Sequence, residues 1–179
     1  MTLEFTIHEE DFLNFQLFTT SHNKRIQKRK KLVWIVTPIV TGIATVLALV
    51  SKNFGIAIYF GLIAITCLLF YPKYFNWRYK KHYKTYIKEN YAKRFGQTAV
   101  LEFRENTIYS KDLTGEGTLN VSQIEQVNET GDYFFIKIST GLSLILPKKA
   151  MKNLAELNAV REKLLALKIP LVEELDWKW

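Results

Sequence analysis

Three histidines, one cysteine and a scatter of carboxylates are what this 179-residue chain offers for chemistry, and their spacing assembles no reaction. His8, His22 and His82 fall at a strand start, on a helix and beside a hydrophobic run, with no spacing suited to a metal site. Cys67 is the single cysteine and sits inside an apolar run, so neither a disulfide nor a Cys-based metal site forms within one chain. There is no GxSxG, Walker-type loop, GxGxxG or HExxH. Asp112, Glu116, Glu125, Glu129 and Asp132 lie near the ends of expected strands, where a solvated charge is the ordinary reading. The expectation is a protein that is not an enzyme and holds neither cofactor nor metal.

What remains is the chemistry of binding, carried by cations and aromatic rings. The net charge of +8 is unevenly spread: residues 1–23 carry −4, residues 24–94 carry +14 and residues 95–179 carry −2. Lys28, Arg29, Lys30 and Lys31 precede a long apolar stretch, and Trp77, Arg78, Lys80, Lys81 and Lys84 follow it. Positive charge that brackets apolar runs suits an anionic phospholipid bilayer, so these nine residues are the expected membrane-surface contacts. Interleaved rings and cations also describe a nucleic-acid surface. A segment tethered at a bilayer meets lipid first, and nucleic acid is the disfavoured partner.

The elements that position these residues follow from the apolar stretch. Leu32 to Tyr71 contains one charge, Lys52. Forty residues of continuous helix would be about 60 Å long, roughly twice the hydrocarbon thickness of a bilayer. Division at Ser51-Lys52-Asn53 gives spans 32–50 and 54–71, each near the length of one crossing, with Asn53 and Gly55 suited to a tight turn. The flanking cations place both termini in the cytoplasm and the turn outside. Ala44 and Ala48 on one helix, with Ala57 and Gly61 on the other, have the small-xxx-small spacing that lets helices approach closely. Pro38 removes one backbone donor from the first. Neither span contains Asp, Glu, Arg or His, which disfavours a transport path through one hairpin.

On either side the pattern changes. Leu3, Phe5 and Ile7 alternate as in a half-buried strand, Thr6 and Glu9 have capping-box spacing, and Phe12, Leu13, Phe15 and Leu17 continue as an amphipathic helix. An isolated strand is unstable, so this one is expected to join the sheet beyond the hairpin. Residues 72–95 read as a basic, aromatic extension of the second helix. From Thr98 come six short β segments, "TAVLEF", "TIYS", "GTLNV", "IEQVNE", "YFFIKIS" and "LSLILP", with turn signals that include Thr114-Gly115-Glu116-Gly117. Leu154, Leu157, Val160, Leu164 and Leu167 then share one face of a closing helix, and "IPLVEELDWKW" is left as a tail. The cations at Lys148 and Lys149, after Pro147, are possible contacts for a partner or a headgroup, although solvated turn residues are the simpler reading.

The domain plan is therefore 1–31 strand and amphipathic helix, 32–71 hairpin, 72–95 juxtamembrane helix and 96–179 cytoplasmic β domain. Its fold class is an α+β membrane protein: a two-helix transmembrane hairpin plus an antiparallel β barrel or sandwich like a pleckstrin-homology domain, closed by a C-terminal helix. The order of "LEFTIHEEDFLNFQLF", a two-helix hairpin, "VLEFRENTIYS", "VSQIEQVNETGDYFFIKISTGLSLILPKKAM" and a closing helix resembles the YcxB-like bacterial proteins over nearly the full chain. The resemblance implies an architecture and supplies no mechanism. The expected function is a multi-pass bacterial inner-membrane protein whose cytoplasmic module engages a partner protein or lipid, in a regulatory or immunity-type role. A subunit of an oligomeric channel or export system, built from copies of the hairpin, is the alternative; a membrane-tethered nucleic-acid binder is the weaker one.

Overall fold

The computed structural model describes residues 1–113 and 115–179. Of the turn expected at Thr114-Gly115-Glu116-Gly117, Thr114 lies outside the described residues. The chain divides into two units: Met1–Phe15 with Tyr86–Lys178, and Gln16–Thr85 with Trp179.

The first unit holds the β structure. Strand β1 (Thr2–Ile7) pairs antiparallel with β2 (Gln97–Phe103), setting Leu3 opposite Leu101 and Phe5 opposite Ala99. The N-terminal strand thus joins the sheet, as its alternation predicts. Strands β3 (Thr107–Asp112) and β4 (Gly115–Asn120) complete a four-stranded antiparallel sheet in the order β1-β2-β3-β4. A second sheet has the order β7-β6-β5-β8, from β5 (Ile124–Thr130), β6 (Tyr133–Ile138), β7 (Ser143–Pro147) and β8 (Leu171–Glu174). Its β5–β6 and β6–β7 pairs are antiparallel, whereas β8 lies parallel to β5. Among the described residues no ladder closes one sheet onto the other, so the β unit is two open sheets and not a closed barrel.

Both sheets and the closing helix share one apolar core. Leu3, Leu101, Phe103 and Ile108 come from the first sheet, Val127, Phe134, Ile136 and Leu146 from the second, and Val160 and Leu164 from α4 (Leu154–Ala166). Along β2 the side chains of Ala99, Leu101 and Phe103 are buried while those between them are half-exposed, the period-two signature of a sheet with one covered face. The Asn153 side chain caps α4 by accepting from the Glu156 amide at 2.9 Å. Leu154, expected on the apolar face, is the first residue of α4 and is exposed.

The helix that follows β1, α1 (Glu9–His22), starts two residues later than the expected capping box. His8 takes the capping position, and its backbone N–H donates to Asp11 Oδ2 at 2.7 Å. The carboxylate three residues into the helix is therefore Asp11, not Glu9, that reaches back to the chain.

In the second unit, α2 (Lys24–Val50) and α3 (Phe54–Tyr91, of which residues through Thr85 belong here) are joined by the turn Ser51-Lys52-Asn53. Asn23 caps α2 by accepting from the amides of Arg25 and Ile26, both at 3.1 Å. At the turn the left-handed conformation falls on Lys52, with φ 55°, and not on Asn53 or Gly55. Asn53 instead starts α3, its Oδ1 accepting from the Ile56 amide, while Gly55 lies within the helix. Pro38 and Pro72 are both inside helices. Each helix contains an 18-residue window, with mean hydropathy 2.3 in α2 and 2.2 in α3, of which only 6% is buried within the chain. By length and composition both are capable of crossing a membrane.

Candidate functional site

The basic, aromatic ends of α2 and α3 form the walls of a cavity of about 640 Å³. Ile26, Arg29 and Val33 from α2 recur at three- and four-residue intervals, so one helical face presents them all. From α3 come Tyr71, Tyr74, Phe75, Arg78, Tyr79, His82 and Tyr83, again a single stripe. The cavity begins where the apolar runs end: Val33 is one residue inside the first and Tyr71 is the last of the second. Its volume falls within the range of small-molecule sites, roughly 300–1,000 Å³.

Polar and cation–π contacts hold the walls. Lys30 Nζ donates to Asn76 Oδ1 at 2.9 Å and lies 4.8 Å from the centre of the Phe75 ring, linking the two helices. Partial burial there lowers the Lys30 pKa from its ordinary value. Tyr83 receives a hydrogen bond from Thr20 Oγ1 at 2.8 Å, and Gln27 Nε2 donates to the Thr20 carbonyl at 3.1 Å. Trp34 Nε1 donates to the Leu68 carbonyl at 3.1 Å. Towards the turn Ala48 and Ala57 are buried, with Ala44 and Gly61 half-buried; a Cβ on Gly61 would meet the Thr45 side chain at 3.8 Å.

Of the nine expected surface contacts, Arg29 and Arg78 line the cavity and Lys30 braces it. Lys81 lies over the Trp77 ring at 5.3 Å, both residues being exposed, and Lys28, Lys31, Lys80 and Lys84 face outward without lining the cavity. His82 is one of the lining residues and stands beside the Tyr83 ring, with centroids 5.4 Å apart. The α3 wall falls largely in the basic, aromatic extension that the sequence marks at residues 72–95. The facing stripe, Ile26-Arg29-Val33, was hidden within a run in which nearly every residue is a cation.

A second polar cluster lies in the β unit. Asp11, fully buried, accepts from Tyr133 Oη at 3.0 Å and Lys149 Nζ at 2.7 Å in addition to the His8 amide. Asn14 Nδ2 donates to Tyr133 Oη at 3.0 Å. Burial pushes the Tyr133 phenol well above its ordinary value, Asn14 opposing the shift and the Asp11 charge adding to it. Glu129, expected to be solvated, is also buried: Lys148 Nζ lies 2.8 Å from it and Arg161 Nε 3.1 Å, while Arg161 also pairs with Glu173. Lys148 and Lys149 therefore each meet a buried carboxylate of their own unit. Asp112 pairs with Arg94, Glu116 accepts from Tyr109 Oη at 2.6 Å, and Glu125 pairs with Lys137 at 2.8 Å. Among the described residues there is no group of three His, Cys, Asp or Glu able to hold a metal ion.

Residues 103–164 match the family model of the YcxB-like protein. This segment is similar to the YcxB-like family. The match runs from the last residue of β2 to Leu164 of α4, taking in β3 to β7, and leaves out β1, β8 and the helical unit; it is shorter than the near full-length resemblance read from the sequence. No curated protein and no solved structure matches the chain.

Proposed function

We propose that this chain is a bacterial inner-membrane protein in which residues 32–50 and 54–71 cross the bilayer and a cytoplasmic β unit, pleckstrin-homology-like in plan, acts as a binding module without enzymatic activity. One observation carries the reading: two apolar helices joined by a tight turn have only 6% of their most apolar windows buried within the chain. Apolar surface on that scale is costly in water and supports placing both helices in a bilayer. The cations collect at the helix ends away from the turn, where only Lys52 stands, the asymmetry of a hairpin with both termini inside. Four antiparallel strands, three more and a closing helix support the pleckstrin-homology-like plan, with β8 as an addition. The module engages a partner protein or lipid at the membrane surface, and the anchor raises its local concentration there.

The small residues that would build an oligomeric channel are used within one chain, Ala48 and Ala57 being buried already, which counts against the alternative. The test is thiol labelling in intact bacterial cells on a Cys67→Ser background. Lys52→Cys should react with an impermeant maleimide from outside, and Thr140→Cys only after permeabilisation; the reverse pattern, or extraction of the protein by carbonate, overturns the reading. A photo-crosslinker at exposed Asp132 then identifies the partner of the module.

A further inference from the structure

The helical unit carries a large excess of positive charge. Between Gln16 and Thr85 there are twelve Lys or Arg and no Asp or Glu. All three arginines of the β unit, Arg94, Arg104 and Arg161, pair with carboxylates of that unit. Arg29 and Arg78 have no acidic side chain available in theirs, yet both line one cavity. Two guanidiniums on the walls of a shared cleft repel each other and favour an anion between them.

The remaining lining residues narrow the class of anion. Tyr74 and Tyr79 carry hydroxyls able to donate to phosphoryl or glycerol oxygens, whereas Ile26, Val33 and Phe75 have no polar side-chain atoms. A site with cations and phenols beside an apolar floor suits an amphiphile whose anionic head is joined to hydrocarbon. Arginine's planar fork matches a phosphate bidentately, in a way that lysine does not. The position agrees, because the cavity sits at the junction of the apolar runs with the basic segments, where headgroups lie in a spanning hairpin.

We propose that the cavity between α2 and α3 binds the phosphate headgroup of an anionic phospholipid, with Arg29 and Arg78 as its phosphate ligands. This rests on the reading that residues 32–71 span the bilayer. It differs from general attraction of a polybasic segment to a charged surface in assigning one lipid to one pair of arginines, while Lys28 and Lys80 supply charge without selectivity.

The test reconstitutes the full chain in mixed phosphatidylglycerol and phosphatidylcholine vesicles, purifies it in a neutral detergent and counts retained lipids by native mass spectrometry. Wild type should retain phosphatidylglycerol over phosphatidylcholine by at least about tenfold, the scale expected when charge-assisted hydrogen bonds to two arginines are at stake. Arg29→Gln with Arg78→Gln should abolish the preference; Lys28→Gln with Lys80→Gln, an equal loss of charge, should keep it. Ile26→Trp, which fills the cavity and preserves every cation, should also abolish it and guards against misfolding of the arginine variant. Equal loss in both double variants, or no preference in wild type, overturns the site. Displacement by inorganic phosphate with no selection between the lipids indicates a free-anion site and overturns it too. Failure of the chain to enter vesicles at all removes the spanning reading and the site with it, whereas insertion without lipid selection removes the site alone.

Discussion

Asp11 and Tyr133 stand 122 positions apart and are joined by a hydrogen bond of 3.0 Å between the phenol and a carboxylate with no exposed surface. The contact fastens the start of α1 to the start of β6. Asp11→Ala removes the acceptor for three donors at once, the His8 amide, Tyr133 Oη and Lys149 Nζ. Leaving buried donors unpaired costs about 1–3 kcal/mol, and that is the loss expected in denaturant unfolding of the β unit in the full-length chain. Asp11→Asn keeps an acceptor oxygen and should lose less. A loss of equal size in both variants would show that the carboxylate charge, and not its hydrogen bonds, is what the fold requires.

The same phenol sets an alkaline limit. Because burial raises the folded-state pKa of Tyr133 above its ordinary 10.0, the folded protein holds the proton at a pH where the unfolded chain releases it. The contribution of this group is intact below pH 10 and declines as pH rises from there towards the folded pKa. Tyr91 and Tyr109 are raised as well, so the isolating measurement is a difference. Unfolding free energies of wild type and Tyr133→Phe, followed from pH 8 to pH 11, should separate by a constant at the lower end (about pH 8–9) and converge above roughly pH 10. Parallel curves throughout would refute the assignment.

Much of the fold was legible because it is written in local periodicity. The alternation of Leu3, Phe5 and Ile7 announced a strand, and the interruption at Ser51-Lys52-Asn53 announced the turn. The eighth strand was not legible: Leu171–Glu174 is four residues long, exposes two of them and owes its existence to parallel pairing with β5, a tertiary interaction without a local signature. The burial of Asp11 and Glu129 was hidden for a related reason. Their cations, Lys149 for one and Lys148 and Arg161 for the other, are supplied from distant positions. The cavity was half legible, since the α3 stripe shows in the spacing of its tyrosines whereas Arg29 cannot be told from its basic neighbours until α3 is placed opposite.

Position within the core makes a sharper prediction for two leucine-sized residues. Ile136 is fully buried in the core to which both sheets contribute, while Leu154, on the apolar face expected from sequence, is 70% exposed. Ile136→Ala removes packed methyl groups and leaves a void, which costs about 2–5 kcal/mol. Leu154→Ala should change stability by less than about 0.5 kcal/mol and exchanges an exposed leucine for the best helix former. Thermal unfolding monitored by the near-ultraviolet signal of the β unit measures both, and a substantial loss at Leu154 would mean that this side chain is covered by a partner in the purified state.

The last prediction concerns the turn of the hairpin. Lys52 adopts φ 55°, a conformation that costs a residue with a Cβ roughly 1–2 kcal/mol and costs glycine almost nothing. The charge and the backbone therefore pull in opposite directions at one position. Lysine keeps a cation in the headgroup region while straining the chain; glycine relaxes the chain and removes the cation. Lys52→Gly should raise the melting temperature of the detergent-solubilised hairpin, and Lys52→Val should lower it, because a β-branched residue is the poorest fit to a left-handed turn. In cells both variants should keep the orientation of the wild type, as the cations flanking residues 32 and 71 greatly outnumber the one that is lost. Thiol accessibility at exposed Ser51→Cys, on the Cys67→Ser background, reads the orientation separately from the melting temperature. An inverted hairpin in Lys52→Gly would show that the single turn cation, and not the flanking clusters, directs insertion.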